Sequence, residues 1–97
     1  MQLCDNIRAV AASLSSTLAT FEVEAQQACY LPLPPDGLPI IGGVPGLPGV
    51  FVASGHSCWG ILNGPATGLV VSEMIVDGKV SSLQGCEVLN PARLVPQ

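Results

Sequence analysis

The chain is short of charge. Only 10% of its 97 residues are Asp, Glu, Lys or Arg, against about a quarter in a typical soluble domain. A small domain has much surface for its volume and should carry more charge than average, not less. Lys and Arg occur only at Arg8, Lys79 and Arg93, and the net charge is −4. That excludes a phosphate-tracking basic stripe, and with it a nucleic-acid partner. It also excludes a polybasic membrane anchor. The four cysteines, Cys4, Cys29, Cys58 and Cys86, form no CxxC pair, so no zinc or other metal site is expected. The N-terminus lacks a basic stretch followed by an apolar core. Reduced thiols in a cytoplasmic setting are the expectation, rather than a disulfide-stapled secreted peptide.

From Gly37 to Ser72 there is no charged side chain. Pro39, Pro45, Pro48 and Pro65, with many glycines, break every candidate transmembrane window. No membrane span is expected.

What is present is periodic. Leu3, Ile7, Val10, Leu14 and Leu18 predict an amphipathic helix over residues 3–19. Phe21 to Leu31 alternates weakly and predicts a strand exposed on one face, ended by Pro32, Pro34 and Pro35. Asp36-Gly37 and Gly46-Leu47-Pro48-Gly49 are turn signals. Val50 to Ser54 predicts a short strand buried on both faces, and Gly55 to Gly60 a glycine-bounded loop. A second helix is expected from near Ile61–Gly64, capped by Asn63 or Gly64, with Pro65 in its first turn. Its apolar positions wrap most of the circumference, which marks a buried helix. Asp77-Gly78 should stop it. A doubly buried strand and an all-round apolar helix need covering layers on both sides. One amphipathic helix and one edge-like strand do not supply them.

Strand, glycine loop and helix N-terminus together form a site that favours negative charge, because free N–H groups and the helix dipole converge there. Alone this is a weak signal. The wider stretch is specific: Asp36-Gly37-Leu38-Pro39-Ile40-Ile41-Gly42, then Gly55-His56, Gly60-Ile61 and Pro65-Ala66-Thr67-Gly68. In order and spacing, over about residues 29–78, it resembles the C-terminal flavin motif of the D-amino-acid oxidase-like family of FAD-dependent oxidoreductases, which includes glycine oxidase and sarcosine oxidase.

The resemblance implies an α/β protein, here an α+β fragment. Residues 1–35 would be the last helix and strand of a substrate domain. Residues 36–97 would be the C-terminal part of a Rossmann-like FAD-binding domain. The backbone of Gly55, His56, Ser57, Cys58, Trp59, Gly60, Ile61 and Leu62 would line the flavin ring. The helix would aim its N-terminus at the pyrimidine carbonyl. The reaction would be hydride transfer from a C–H beside an amine to flavin N5, with a small-molecule substrate. Cys29 is implied as a covalent flavin link, although Tyr30 follows it directly where the family has a Tyr two residues on; a small buried hydrophobe on a strand is the alternative.

Two family features differ here. The N-terminal G-x-G-x-x-G motif is absent, so an N-terminal FAD-binding region is the implied partner, and this chain alone should bind FAD poorly. Where amino-acid-specific members carry an Arg before the D-G-x-P segment, this chain has Leu31. No catalytic residue is assigned. His56 is expected to contact the flavin by its backbone rather than to act as a base. Trp59 is a candidate for the substrate side of the pocket, with core packing as the alternative. Asp36 is expected to fix a turn. Asn90-Pro91 and Arg93 resemble an ordered tail, with a solvated tail as the alternative. The competing functional reading is a free-standing small interaction protein that has lost flavin chemistry.

Overall fold

A computed structural model describes residues 2–96. The order of elements is helix α1 (Gln2–Leu14), a short helix α2 (Ser16–Ala19), strand β1 (Ile40–Gly43), strand β2 (Phe51–Ser54) and helix α3 (Gly60–Val76). Single 3-10 turns cover Ser57–Trp59, Cys86–Leu89 and Pro91–Leu94. This is an α+β arrangement with one two-stranded antiparallel sheet.

The expected helix over 3–19 is broken at Ser15. Ser15 takes extended angles (φ −154°, ψ 129°), and its hydroxyl accepts from the Thr17 N–H. Ser13 Oγ donates to the Val10 carbonyl and Thr20 Oγ1 to the Thr17 carbonyl. A run of hydroxyl side chains offers the backbone alternatives to the helical ladder, and here they end the helix. The Leu3, Ile7, Val10 and Leu14 stripe is present but exposed.

The expected strand from Phe21 to Leu31 does not form; residues 21–34 have no regular structure. Weak alternation is not enough, because a strand exists only when another strand takes up its N–H and C=O groups. Among the described residues, β1 and β2 pair only with each other.

The hairpin pairs Ile40 with Ser54 and Gly43 with Phe51. Its loop closes through Val44 N–H to Val50 O (2.8 Å) and Leu47 N–H to Val44 O (3.1 Å). Gly46 and Gly49 take φ +78° and +81°, which places the expected turn at 46–49. Strand β1 was not anticipated: the signal was the β-branched pair Ile40-Ile41 after Pro39, partly hidden by Gly42 and Gly43. The expected double burial of β2 is not met. Phe51, Ala53 and Ser54 are exposed, because among the described residues no strand lies on the far side of β2 and no layer covers its outer face.

Helix α3 begins at Gly60, earlier than expected, with Trp59 rather than Asn63 or Gly64 as its N-cap. Pro65 therefore sits at the sixth helical position, where its missing N–H leaves the Ile61 carbonyl without a helical partner. The helix ends at Asp77, followed by Gly78 at φ +70°, as the sequence indicates. Its expected burial is not met: only Val70 is buried.

The core is correspondingly small. Among the described residues it consists of Ile41 of β1, Val70 of α3 and Cys86, with Pro91 also buried. The radius of gyration is 18.9 Å, where a compact chain of this length has about 12.5 Å. The accessible surface is 7615 Å², some ~2,400 Å² more than a compact protein of this mass exposes.

Candidate functional site

The predicted site lies where β2 runs into α3. Gly55 leaves the strand at φ +84° and is buried. A Cβ there would overlap the Cγ of Pro34. The position therefore needs glycine twice over, for its backbone angles and for the proline ring seated on it. Ser57 follows at φ +54°, an unusual value for a residue with a side chain. Its N–H donates to the Pro32 carbonyl at 3.2 Å. Trp59 N–H donates to the His56 carbonyl at 3.0 Å and closes the turn into α3. The proline-rich segment thus lies across the loop as a strap, touching it at Gly55 and Ser57.

His56 is tied from the other side. Its Nε2 lies 2.8 Å from Thr67 Oγ1 on the helix. Thr67 is two turns into α3, so this contact sets the angle between loop and helix. His56 thus ties the loop to the helix through its ring. Both residues face a small cavity of about 140 Å³ whose wall includes Ile41 and Val70.

The mouth of the site is open. The N-terminus of α3 carries no side-chain cap and has no acid in its first turn. No carboxylate of its own first turn offsets its dipole. Around it stand exposed apolar side chains: Trp59 (60%), Ile61 (98%) and Leu62 (72%). Gly60, Gly64 and Gly68 follow at four-residue steps, and a Cβ at Gly64 or Gly68 would meet nothing within 4 Å. Backbone donors beside flat apolar surface suit a planar group with carbonyl acceptors along one edge, as a flavin ring has. The residues present fit that group.

Of the eight residues from Gly55 to Leu62, Gly55 is buried against Pro34, His56 lines the small cavity, and Cys58 to Leu62 are exposed. Cys58 is free. Cys29 does not join them by any hydrogen bond; it is free and exposed in the irregular 21–34 segment, not buried on a strand. A larger cavity, about 520 Å³, is elsewhere. It opens between β1, the C-terminal end of α3 and the turn at Cys86–Leu89, with Phe51, Met74, Lys79 and Asn90 in its wall. None of residues 55–62 reaches it, so its size does not make it the site. No group of His, Cys, Asp and Glu among the described residues could hold a metal ion.

Two charged contacts were not foreseen. Asp36 does fix its turn, accepting the Leu38 N–H at 3.2 Å. It also takes a forked ion pair from Arg93, Nε to Oδ2 at 2.6 Å and Nη2 to Oδ1 at 3.1 Å. Arg93 further donates to the carbonyls of Leu38, Leu89 and Asn90. The Arg93 hydrogen bond, helped by the Leu38 N–H, holds the Asp36 carboxyl down to about 2, and the same pairing raises Arg93. The tail forms a 3-10 turn at Pro91–Leu94 and is joined to the Asp36 turn through Arg93. Glu73 accepts from the N–H and hydroxyl of both Ser81 and Ser82, which lowers its pKa. Glu73 is the lone charge on α3 and precedes the helix stop by four residues, the one sequence hint of this role.

Residues 1–74 match the family described as FAD dependent oxidoreductase. The chain belongs to that family. It is 39% identical over 84% of its length to the Saccharomyces cerevisiae protein "Putative oxidoreductase TDA3". It is 34% identical over 73% of its length to glycine oxidase of Pseudomonas aeruginosa, and 40% identical over 67% to glycine oxidase of Geobacillus kaustophilus. It spans 16%, 20% and 17% of those three relatives, about a fifth of their length. No solved structure matches the chain. No helix among the described residues is long and apolar enough to cross a membrane.

Proposed function

We propose that this chain supplies the flavin-facing loop and helix N-terminus of an FAD-dependent oxidoreductase acting on an amine or amino-acid-like small molecule. The observation that carries this is the uncapped N-terminus of α3 beside an internally braced loop, in a chain that belongs to the family. On this reading residues 36–97 are the C-terminal part of a Rossmann-like FAD-binding domain, and residues 1–35 end a substrate domain.

The residues divide the work. Gly55 gives the chain its sharp exit from β2, and Pro34 keeps the loop from relaxing outward. His56 fixes the loop on the helix through Thr67. The N–H groups of Gly60, Ile61 and Leu62 would hold a carbonyl-bearing ring edge and favour negative charge there. The exposed Trp59, Ile61 and Leu62 would help to exclude water from a bound ring. FAD, when bound, supplies the hydride-accepting chemistry, and the protein positions it. Cys29 is free and exposed, which leaves a covalent link chemically open.

The test is to recover the polypeptide that carries this C-terminal tail from its source cells with a tail-specific antibody. A product several times larger than 9.9 kDa with a flavin absorption band is expected. A product without flavin refutes the reading. Acid precipitation of a yellow product separates a covalent flavin, which stays with the protein, from a dissociable one.

A further inference from the structure

We propose that Arg93 is a positioning residue for the flavin-facing loop: by gripping Asp36 it holds the 32–36 strap across Gly55 and Ser57. The inference rests on the function proposed above and goes beyond it. Arg93 lies outside the part of the chain that matches the family, which ends at residue 74.

The grip is unusually complete. Arg93 makes five hydrogen bonds, two to the Asp36 carboxylate and three to backbone carbonyls. A guanidinium fork fixes its partner in angle as well as distance. The Arg93 side chain is only 19% exposed. The tail that carries it is seated beside it: Pro91 is buried, and its Cδ would lie 3.1 Å from a Cβ on Gly42 of β1. Asn90 caps the last turn by accepting the Ala92 N–H. The tail is thus anchored to the hairpin before Arg93 reaches across to Asp36.

From Asp36 to the loop the path is short. Gly37 N–H donates to the Pro34 carbonyl, closing the turn. Pro34 sits on Gly55, and two residues earlier the Pro32 carbonyl accepts from Ser57. The strap has no regular structure of its own, and the segment before it is irregular and exposed. With exposed, irregular backbone on its N-terminal side, the strap depends on its Asp36 end to stay seated. If that end is released, Ser57, held at φ +54°, loses the hydrogen bond that keeps it there. The loop would then drift at the very residues that precede the helix N-terminus.

The test compares Arg93→Ala, Asp36→Asn and the double variant in the full-length polypeptide. Asp36→Asn keeps the Oδ1 that accepts from Leu38 but removes the negative charge and replaces the Oδ2 that accepts from Arg93 Nε with a donor, so it breaks the fork and leaves the turn. The first readout is amide hydrogen exchange at Ser57 in flavin-free protein; each single variant should exchange about tenfold faster, the weight of one lost hydrogen-bonded restraint. The second is FAD affinity by absorbance titration, expected to weaken about five- to tenfold, with the double variant no worse than either single because both act through one contact. Unchanged Ser57 exchange overturns the proposal, as does faster exchange with unchanged FAD affinity, or additive losses. Should Arg93→Ala fail to fold, Asp36→Asn decides the matter by the same two readouts. A wild-type protein that binds no FAD refutes the proposed function instead, while the Ser57 readout still judges the strap.

Discussion

Replacing Gly55 with alanine tests the seat of the loop. Two costs combine. At φ +84° a side chain is strained, which costs about 1–2 kcal/mol. The new Cβ also overlaps the Pro34 ring, and forcing a carbon into an occupied place costs about 1–3 kcal/mol more. Gly46→Ala isolates the first cost: its φ is +78°, and nothing lies within 4 Å of its Cβ. It should lose only about 1–2 kcal/mol. Urea unfolding of the full-length polypeptide measures the difference. With a slope of about 2 kcal/mol per molar urea, an excess of about 2 kcal/mol lowers the Gly55→Ala midpoint by about 1 M below that of Gly46→Ala. Coincident midpoints would falsify the packing of Pro34 on Gly55, and with it the strap.

Three further outcomes follow from single contacts. The Asp36 carboxyl is held at about 2, below its unfolded value, so its contribution is complete above the ordinary carboxylate range and fades as pH falls toward about 2; a carboxyl titration by NMR with a midpoint near ~4 would refute the ion pair. Thr67→Val strands His56 Nε2 at a part-buried position and should cost about 1 kcal/mol in urea unfolding, while Thr67→Ser retains the bond; equal losses in the two variants would discount it. The 97-residue chain alone, with Ile41, Val70 and Cys86 as its buried apolar residues, should melt broadly and bind a hydrophobic dye. A sharp cooperative transition would contradict that reading.

The sequence showed local order better than packing. Turns governed by one or two residues, at Asp36-Gly37, Gly46–Gly49 and Asp77-Gly78, fall where their chemistry puts them. Gly55 leaves β2 at a positive φ as a loop glycine does, whereas Gly60 is already helical and Ser57–Trp59 is a 3-10 turn, so the expected loop is shorter than its bounding glycines suggest. The contacts that brace it were not legible. Thr67 lies eleven residues from His56, and Arg93 fifty-seven from Asp36; no periodicity links residues so far apart. The strand expected at Phe21–Leu31 failed for a related reason. Alternation describes one strand's willingness to pair, whereas a ladder requires a second strand. Ser15 marks the opposite case, in which a local side-chain bond overrode a helical stripe that continues past it.

The apolar surface discriminates between the two functional readings. On α3, Val70 faces the hairpin, where it shares a cavity wall with Ile41. Leu62, Leu69 and Val76 project about 100° round the helix from Val70, and Ile61 and Ile75 nearly opposite it, at 100° of turn per residue. All five are exposed. A helix that packs on one layer needs one apolar stripe; this one presents apolar side chains to a second. β2 likewise exposes Phe51, and α1 leaves its whole stripe uncovered. A small interaction protein concentrates its binding surface in one patch rimmed by polar groups. Here the uncovered surface is spread over separate elements, and the excess area of ~2,400 Å² exceeds a standard protein–protein interface. Such a surface calls for covering layers on several sides, which is the environment of a segment built into a larger flavoenzyme domain. On the function proposed above, the internal bracing of the loop by Pro32, Pro34 and Thr67 has a purpose: it fixes the backbone assigned to the flavin independently of whichever elements complete the core.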